Sequence, residues 1–379
     1  MQKKIYNHAL NPDENTMKQF EHCYSQDFVE AAALMPDAHS GYVAPIGAVL
    51  VTKRFIVPSW VGFDIGCGMI AVKFKGKNLV EKVKKKAEEI YREINREVPM
   101  GYGHTARKER ITEKTKEDYS ALLADFQKER YNKDVLNMLK NSAILHLGTL
   151  GGGNHFAELC SNKNELWLVI HSGSRGVGYK IAEKYMKIAS NSEKQFEKTY
   201  PLDSSSEIGK EYLSVLNFCL DFALLNRLEM SYKILSALQR ILKENIKAEL
   251  WTNKNHNHAI LEHGFYIHRK GATPAKKGER GVIPANMRDG SFLVEGKGNA
   301  KFLKSSSHGA GRALSRTEAK KVISMSEFQN SMAGITGTIS QKTLDEAPMA
   351  YKNIYEVMEA QKDSVKIIKH LLPIINWKG

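Results

Sequence analysis

The nonapeptide Val61-Gly62-Phe63-Asp64-Ile65-Gly66-Cys67-Gly68-Met69 sets a carboxylate and a thiol three residues apart among glycines. Both are metal ligands once ionised, and glycine lets the backbone turn sharply close to a ligand. Taken alone, the stretch reads equally well as a tight turn with a buried thiol. The histidines shift that balance. Of the 13 in the chain, five sit in turn-like, glycine-rich or polar settings: His39 in MPDAHSGYVAPIG, His155 in LGTLGGGNHFAEL, His171 in LVIHSGSRG, His256 in NKNHNHAILEH and His308 in SSSHGAGRALSR. Neutral imidazole is the commonest side-chain metal ligand. Together with Asp64 and Cys67 these residues offer enough donors for two ions sharing one thiolate. Two ions ~3.5–4 Å apart clamp phosphoryl oxygens. Thiolate and imidazole suit zinc, whereas the carboxylate admits manganese. The spacing matches no zinc ribbon or finger, so a structural zinc site is the weaker reading.

Candidate phosphate binders accompany them. GGGNH at 151–155 brings backbone amides close to an anion. Arg175, Lys270 and Arg312 each stand beside glycine in a turn, and Arg175 and Arg312 follow His171 and His308 by four residues. The arginine fork suits bidentate phosphate binding. Glu158, four residues after Asn154, offers a carboxylate that accepts from N1–H and the N2 amine of guanine, a pair adenine lacks. No GxxxxGK[ST] run exists, which removes the P-loop reading, and no lysine lies in a K-x-[DHN]-G setting. A nucleotidyl intermediate therefore needs another nucleophile. His308 is the best placed, with small neighbours for access and Arg312 to neutralise phosphate.

Elements must bring these scattered segments together. The 379 residues are 42% hydrophobic and 26% charged, an ordinary globular balance. No apolar run approaches bilayer length, and no signal-peptide core follows Met1-Gln2-Lys3-Lys4, so cytoplasmic residence without a membrane partner is expected. Four cysteines without a CxxC argue against a disulfide framework. The net charge of +14 favours polyanionic partners. Residues 43–73 read as strands broken by glycine turns. Val80, Val83, Ala87, Ile90 and Ile94 fall at helical spacing, with Lys82, Lys84, Lys85 and Lys86 as the solvated face. A strand amid glycine turns is expected within 146–178. Helices are expected over about 177–199 and 206–247, the latter with Ile208, Tyr212, Leu216 and Leu220 on one face. Strands and turns follow from about 251, and a final helix over about 348–371. The reactive segments span residues 35–312 with helices between them. One interwoven α+β domain over 1–379 follows, rather than separate beads.

The ordered series MPDAHSGYVAPIG, VGFDIGCGM, LGTLGGGNHFAEL, VIHSGSRG, HNHAILEH, HRKGA, SSSHGAGRALSR and WKG resembles the RtcB RNA ligases over nearly the whole chain. The resemblance implies a single large domain of interwoven sheets with surrounding helices. It implies a GTP-dependent ligase with two manganese ions, acting on RNA ends. By the resemblance, a 2′,3′-cyclic phosphate would be opened to a 3′-phosphate, GMP would pass from His308 to that phosphate, and a 5′-hydroxyl would attack. By position, Cys67 would bridge the ions, with Asp64 and His256 completing one site and His155 and His171 the other. His256 is preferred over His258 and His263 because Asn257 follows it, as in the family. Asn154 would contact phosphate; Glu158 and Lys378 would read guanine; Lys270, Arg175 and Arg312 would hold phosphate or RNA. Asn257, Pro284, Met287 and Ser291 would complete the nucleotide site. The family's PGSM loop is here Pro284-Ala285-Asn286-Met287, so Ala285 and Asn286 replace a glycine and a serine. That departure and the short chain point to a divergent branch whose target need not be the usual split tRNA; a broken tRNA, a ribosomal RNA or another structured RNA is equally open. Many family members also use an activating partner, archease. Two rivals remain: a two-metal phosphoesterase acting on RNA ends, which needs neither His308 nor guanine, and a non-catalytic RNA-binding protein.

Overall fold

The computed structural model describes residues 3–379. The Val- and Ile-rich segments between glycine turns build two main sheets, because β-branched side chains suit pleated, packed backbone. The larger runs in the order Arg280–Pro284, Ser291–Gly296, Val365–Lys378, Phe156–Asn162, Glu165–Ser172, Gly68–Lys75 and Lys247–Asn255. Every neighbouring pair in that path is antiparallel. The smaller runs Lys4–Asn7, Val29–His39, Ile46–Thr52, Phe265–Lys270 and Asn257–Glu262. A ribbon of Ala272–Pro274 and Ser305–Ser307 leads directly into His308. The α+β expectation therefore holds.

Helix Glu207–Leu242, 36 residues and so ~54 Å long, lies against strands Gly68–Lys75, Glu165–Ser172 and Lys247–Asn255. Ser206 caps its start by accepting from the Gly209 amide. Tyr212, Leu216 and Leu220 are buried on it, whereas Ile208 is exposed, so the buried face begins one turn later than expected. Apolar cores fill both sides. One gathers helices Glu113–Phe126, Lys133–Asn141 and Arg175–Ser190. The other lies under Leu79–Lys85 and Ala87–Glu97, where Val80, Val83, Ile90 and Ile94 are buried and Lys84, Lys85 and Lys86 face solvent. The expected helix over 177–199 is thus Arg175–Ser190.

The chain's last element differs from expectation. Apart from a 3-10 turn at Pro348–Ala350, helix covers only Ile354–Ala360, and Val365–Lys378 is a strand between Phe156–Asn162 and Ser291–Gly296. Val365, Ile368, Leu371, Leu372 and Ile375 mimic helical spacing because two bulges break the strand's period of two. Pro373, which would break a helix, sits at the second bulge, where a missing amide is tolerated. This strand carries Asn376 and Lys378 toward the site.

Candidate active site

Asp64, Ile65, Gly66 and Cys67 form a tight turn in which the Cys67 amide donates to the Asp64 carbonyl at 3.1 Å. Gly66 has φ +72°, the left-handed value that the third position of such a turn requires. The turn is tied down on both sides. The amides of His256 and Asn257 donate to the Cys67 carbonyl at 2.7 and 3.2 Å, and the Gly66 amide to the Asn257 carbonyl at 2.8 Å. The Asn257 side chain adds a bond to the Asp64 carbonyl and accepts from the Gly271 amide. Asn257 is therefore a brace under the site, outside the cavities described below.

Around Cys67 the expected donors converge in two groups: Asp64, Cys67 and His155, and Cys67, His171 and His256. Within each group the candidate ligand atoms lie within 4.8 Å of one another. This grouping sets Asp64 with His155 and His171 with His256, where Asp64 with His256 and His155 with His171 were expected. Nε2 of His171 is 3.1 Å from Cys67 Sγ and 3.1 Å from His256 Nε2. His155 Nε2 is 2.8 Å from an Asp64 carboxylate oxygen and 3.4 Å from Sγ. The Nδ1 atoms of His155 and His171 face the carbonyls of Leu150 and Asn154 at 3.0 and 3.1 Å. As N–H donors there, they leave both Nε2 lone pairs aimed at Cys67, the outer-shell arrangement of metal-binding imidazoles. Burial pushes His171 and His256 well below the usual histidine range, which keeps both neutral. Burial and the Asp64 carboxylate push the Cys67 thiol well up, so a thiolate there calls for a bound cation. The donor set fits two divalent ions sharing Cys67.

Helix Glu207–Leu242 supplies the frame. Arg227, fully buried in mid-helix, donates to the carbonyls of Gly66 and Ser172 at 3.0 and 2.7 Å and to the side-chain oxygens of Asn253 and Asn255. It therefore clamps three strand ends that carry ligands. Its neighbour Asn226 bonds Thr149 and Gly173 in the same way.

His308 stands beside this cluster, its ring centroid 4.9 Å from that of His256. Its Nδ1 lies 2.7 Å from Asp37 Oδ2, and the same oxygen accepts from the His308 and Gly309 amides. Burial alone would raise the Asp37 carboxyl, but His308 facing it holds the carboxyl below its ordinary value. With Nδ1 engaged, Nε2 is the ring nitrogen left free.

His308 forms the wall of a cavity of about 370 Å³ shared with Asn154, Glu158, Pro284, Met287, Arg312 and Lys378, within the ~300–1,000 Å³ of small-molecule sites. Glu158 Oε1 accepts from Cys160 Sγ at 2.8 Å and Oε2 from Asn376 Nδ2 at 2.9 Å. Burial pushes the Glu158 carboxyl up to about 7, against the pull of Cys160, Asn376 and Lys378. Lys378 pairs with Glu346 at 2.5 Å. Arg316 pairs with both Glu346 and the neighbouring Asp345, while Arg312 lies 3.6 Å from Glu346 and donates to the Asp345 backbone carbonyl. Among the lining residues Arg312, Arg316 and Lys378 outnumber Glu158 and Glu346, which suits an anionic ligand. Asn286 accepts from the amides of Arg288 and Asp289, closing its own turn as asparagine does readily.

Other expected residues lie elsewhere. Arg175 lines a second cavity on the Asp64–His155 side, with a guanidinium nitrogen 3.3 Å from His155. Lys270 lines neither cavity; its ammonium sits against the Ser59 carbonyl at 3.3 Å, and burial pushes it down to about 8. Ser291 is fully buried in its strand, outside both cavities. Sequence reasoning passed over Asp37, Arg227, Arg316, Glu346 and Asn376. Asp37 had a signal, since it lies two residues before His39 in MPDAHSG. Among the described residues no helix is long and apolar enough to cross a membrane.

A family model described as tRNA-splicing ligase RtcB matches residues 19–379. The chain is 35% identical to the RNA-splicing ligase RtcB of Escherichia coli K12 over 367 residues, covering 92% of this chain and 90% of that relative. It is 30% identical to the tRNA-splicing ligase RtcB of Nanoarchaeum equitans over 432 residues, covering 93% and 88%. The tRNA-splicing ligase RtcB of Methanococcus maripaludis is 29% identical over 404 residues, covering 87% and 84%.

Proposed function

The chain belongs to the RtcB family and is an RNA ligase, and from that premise we propose that it seals RNA 3′-phosphate or 2′,3′-cyclic phosphate ends to 5′-hydroxyl ends with GTP and two manganese ions. The observation that carries this reading is His308. It is pinned by Asp37 through Nδ1 and opens into the same cavity as Glu158 and Lys378. A two-metal phosphoesterase would need the Cys67 cluster and would have no use for that arrangement.

The chain's own residues then act in order. Glu158 accepts from the guanine N1–H and N2 amine, and Lys378 offers a donor to the base. Arg312 steadies the phosphates. His308 Nε2 attacks the α-phosphorus of GTP; an N–P bond forms, the P–O bond to pyrophosphate breaks, and Asp37 stabilises the charged ring. The RNA 3′-phosphate oxygen next attacks the same phosphorus and releases His308. Finally the 5′-hydroxyl oxygen attacks the activated 3′-phosphorus, its proton passes to solvent, and GMP leaves. Ions held by Asp64, Cys67, His155, His171 and His256 would supply charge neutralisation on the phosphoryl oxygens.

Intact mass after incubation with GTP and manganese tests this. The expected result is an acid-labile, GMP-sized adduct that is absent with ATP and lost in His308→Ala. A protein that turns over RNA ends while His308→Ala keeps full activity would be a phosphoesterase instead. Adding archease separates a missing activator from a missing activity.

A further inference from the structure

Asn376 is buried in the wall of the His308 cavity, beside Glu158 and Lys378. Its Nδ2 donates to Glu158 Oε2 at 2.9 Å, across the strand pairing that sets the two residues opposite each other. That bond fixes which way the amide faces, since the reverse orientation would set one acceptor oxygen against another. Oδ1 is thereby left as a buried acceptor with no hydrogen-bond partner among the described residues. Native proteins leave few such atoms, because each carries the cost of desolvation without a bond to offset it.

The backbone around Asn376 gives the side chain little room to find another partner. Its strand is held on one flank by Phe156–Asn162 and on the other by Thr336–Gly337. The second contact is close: a Cβ on Gly337 would meet the Asn376 carbonyl oxygen at 3.0 Å. Glu158 is fixed as firmly. Cys160 Sγ donates to Oε1 at 2.8 Å while Asn376 donates to Oε2, and each carboxylate oxygen keeps a lone pair for a ligand.

Guanine brings three N–H bonds to such a wall, one at N1 and two on the N2 amine. A carboxylate facing that edge takes the N1–H and one amine hydrogen. The other amine hydrogen needs an acceptor next to the carboxylate, and the unpartnered Oδ1 belongs to the amide bonded to Glu158. We propose, on the guanine-nucleotide reading above, that Asn376 is a specificity-determining residue whose Oδ1 accepts the second hydrogen of the N2 amine. The site then reads an unsubstituted amine rather than guanine in general. A carboxylate alone tolerates a methyl group on that amine, because the remaining hydrogen can turn toward it. With Asn376 present, an N2-methylated nucleotide leaves Oδ1 buried against the methyl group, and a site built to bond a polar group rejects an analogue that lacks it.

Equilibrium binding to the manganese-loaded His308→Ala protein, which forms no adduct, compares GTP with N2-methyl-GTP. With Asn376 in place GTP should bind tighter by about tenfold or more, the scale of one buried hydrogen bond. Asn376→Ala should move the two ligands in opposite directions. GTP weakens by about tenfold, and N2-methyl-GTP tightens because the methyl group enters the vacated space. Equal weakening of both would mean that Asn376 acts only by holding Glu158, which overturns the inference. Unchanged GTP affinity beside tighter N2-methyl-GTP would mean that the side chain only fills space, which overturns it too. Melting temperature establishes that the variant is folded. The comparison also decides without any change at Asn376, since equal affinities of that protein for the two nucleotides overturn the inference by themselves. Intact mass of the protein with His308 present keeps the GMP-transfer reading separate. An adduct from GTP beside equal affinities leaves that reading standing and removes Asn376 from recognition. Opposite movement of the two ligands without any adduct upholds Asn376 and sinks the GMP-transfer reading alone.

Discussion

Asp37 and His308, 271 positions apart in the chain, meet at 2.7 Å through one carboxylate oxygen and Nδ1. That oxygen also accepts the amides of His308 and Gly309, so ring orientation and loop position depend on a single atom. Asp37→Asn keeps the shape but loses the charge opposite a ring that becomes positive. We expect adduct formation to slow ~10²–10⁴-fold, by comparison with other carboxylate–histidine pairs, while GTP affinity stays near wild type. Single-turnover mass spectrometry and equilibrium nucleotide binding separate the two; a rate within threefold of wild type would remove Asp37 from the chemistry.

The Glu158 carboxyl, pushed up to about 7 by burial, gives nucleotide binding a pH dependence. Only the ionised form accepts both guanine donors, so GTP affinity should rise between pH 6 and 8. Glu158→Gln should flatten that rise. In the free protein the sign reverses. The folded state holds this proton more tightly than an unfolded carboxyl at 4.5, so Glu158 costs stability as pH climbs from 4.5 to about 7. A melting profile whose slope over that range is the same in Glu158→Gln would refute the assignment.

The two donor groups share only Cys67. Asp64→Ala should lower bound manganese from about two ions per chain to about one, since the Cys67–His171–His256 group stays whole. Cys67→Ala should remove nearly all of it. Metal analysis after dialysis reads this directly, and full occupancy in Cys67→Ala would deny the shared thiolate. Chelation should likewise abolish the GMP adduct and restore it on readdition of manganese.

Arg227 lines neither cavity described above, yet its guanidinium fills four acceptors at strand ends that carry Cys67, His171 and His256. Arg227→Met would leave those acceptors buried and unpaired, at ~3 kcal/mol or more. Urea unfolding should show the loss, with weaker manganese binding beside it. A variant of wild-type stability would mean that water replaces the guanidinium.

What the sequence made legible follows from range. The turn at Asp64–Cys67 and the helix Glu207–Leu242 are local patterns of glycine placement and apolar spacing, so their types could be read without a fold. The convergence of donors on Cys67 could be expected as well, because a cysteine between glycines three residues after an aspartate combines two ligand types on one turn. Partnerships set only by folding were hidden. Nothing near Asn376 or Glu346 announces that one would hold Glu158 and the other Lys378. Lys270 reads as a phosphate ligand beside a glycine, yet its strand register turns it toward Ser59. The strand Val365–Lys378 was masked by its own bulges, which reset the period that would have identified it.

That strand also has a consequence in time. It lies in the interior of the large sheet, between Phe156–Asn162 and Ser291–Gly296, so one edge of Phe156–Asn162 has no partner until about 200 further residues have been made. Such a distant pairing is slow to close, and an open edge invites a neighbouring chain. During synthesis the strand that carries Glu158 is therefore exposed to aggregation for a long interval. The same pairing that holds Glu158 to Asn376 is what ends that exposure, so the His308 cavity and a sealed sheet come into being in one step.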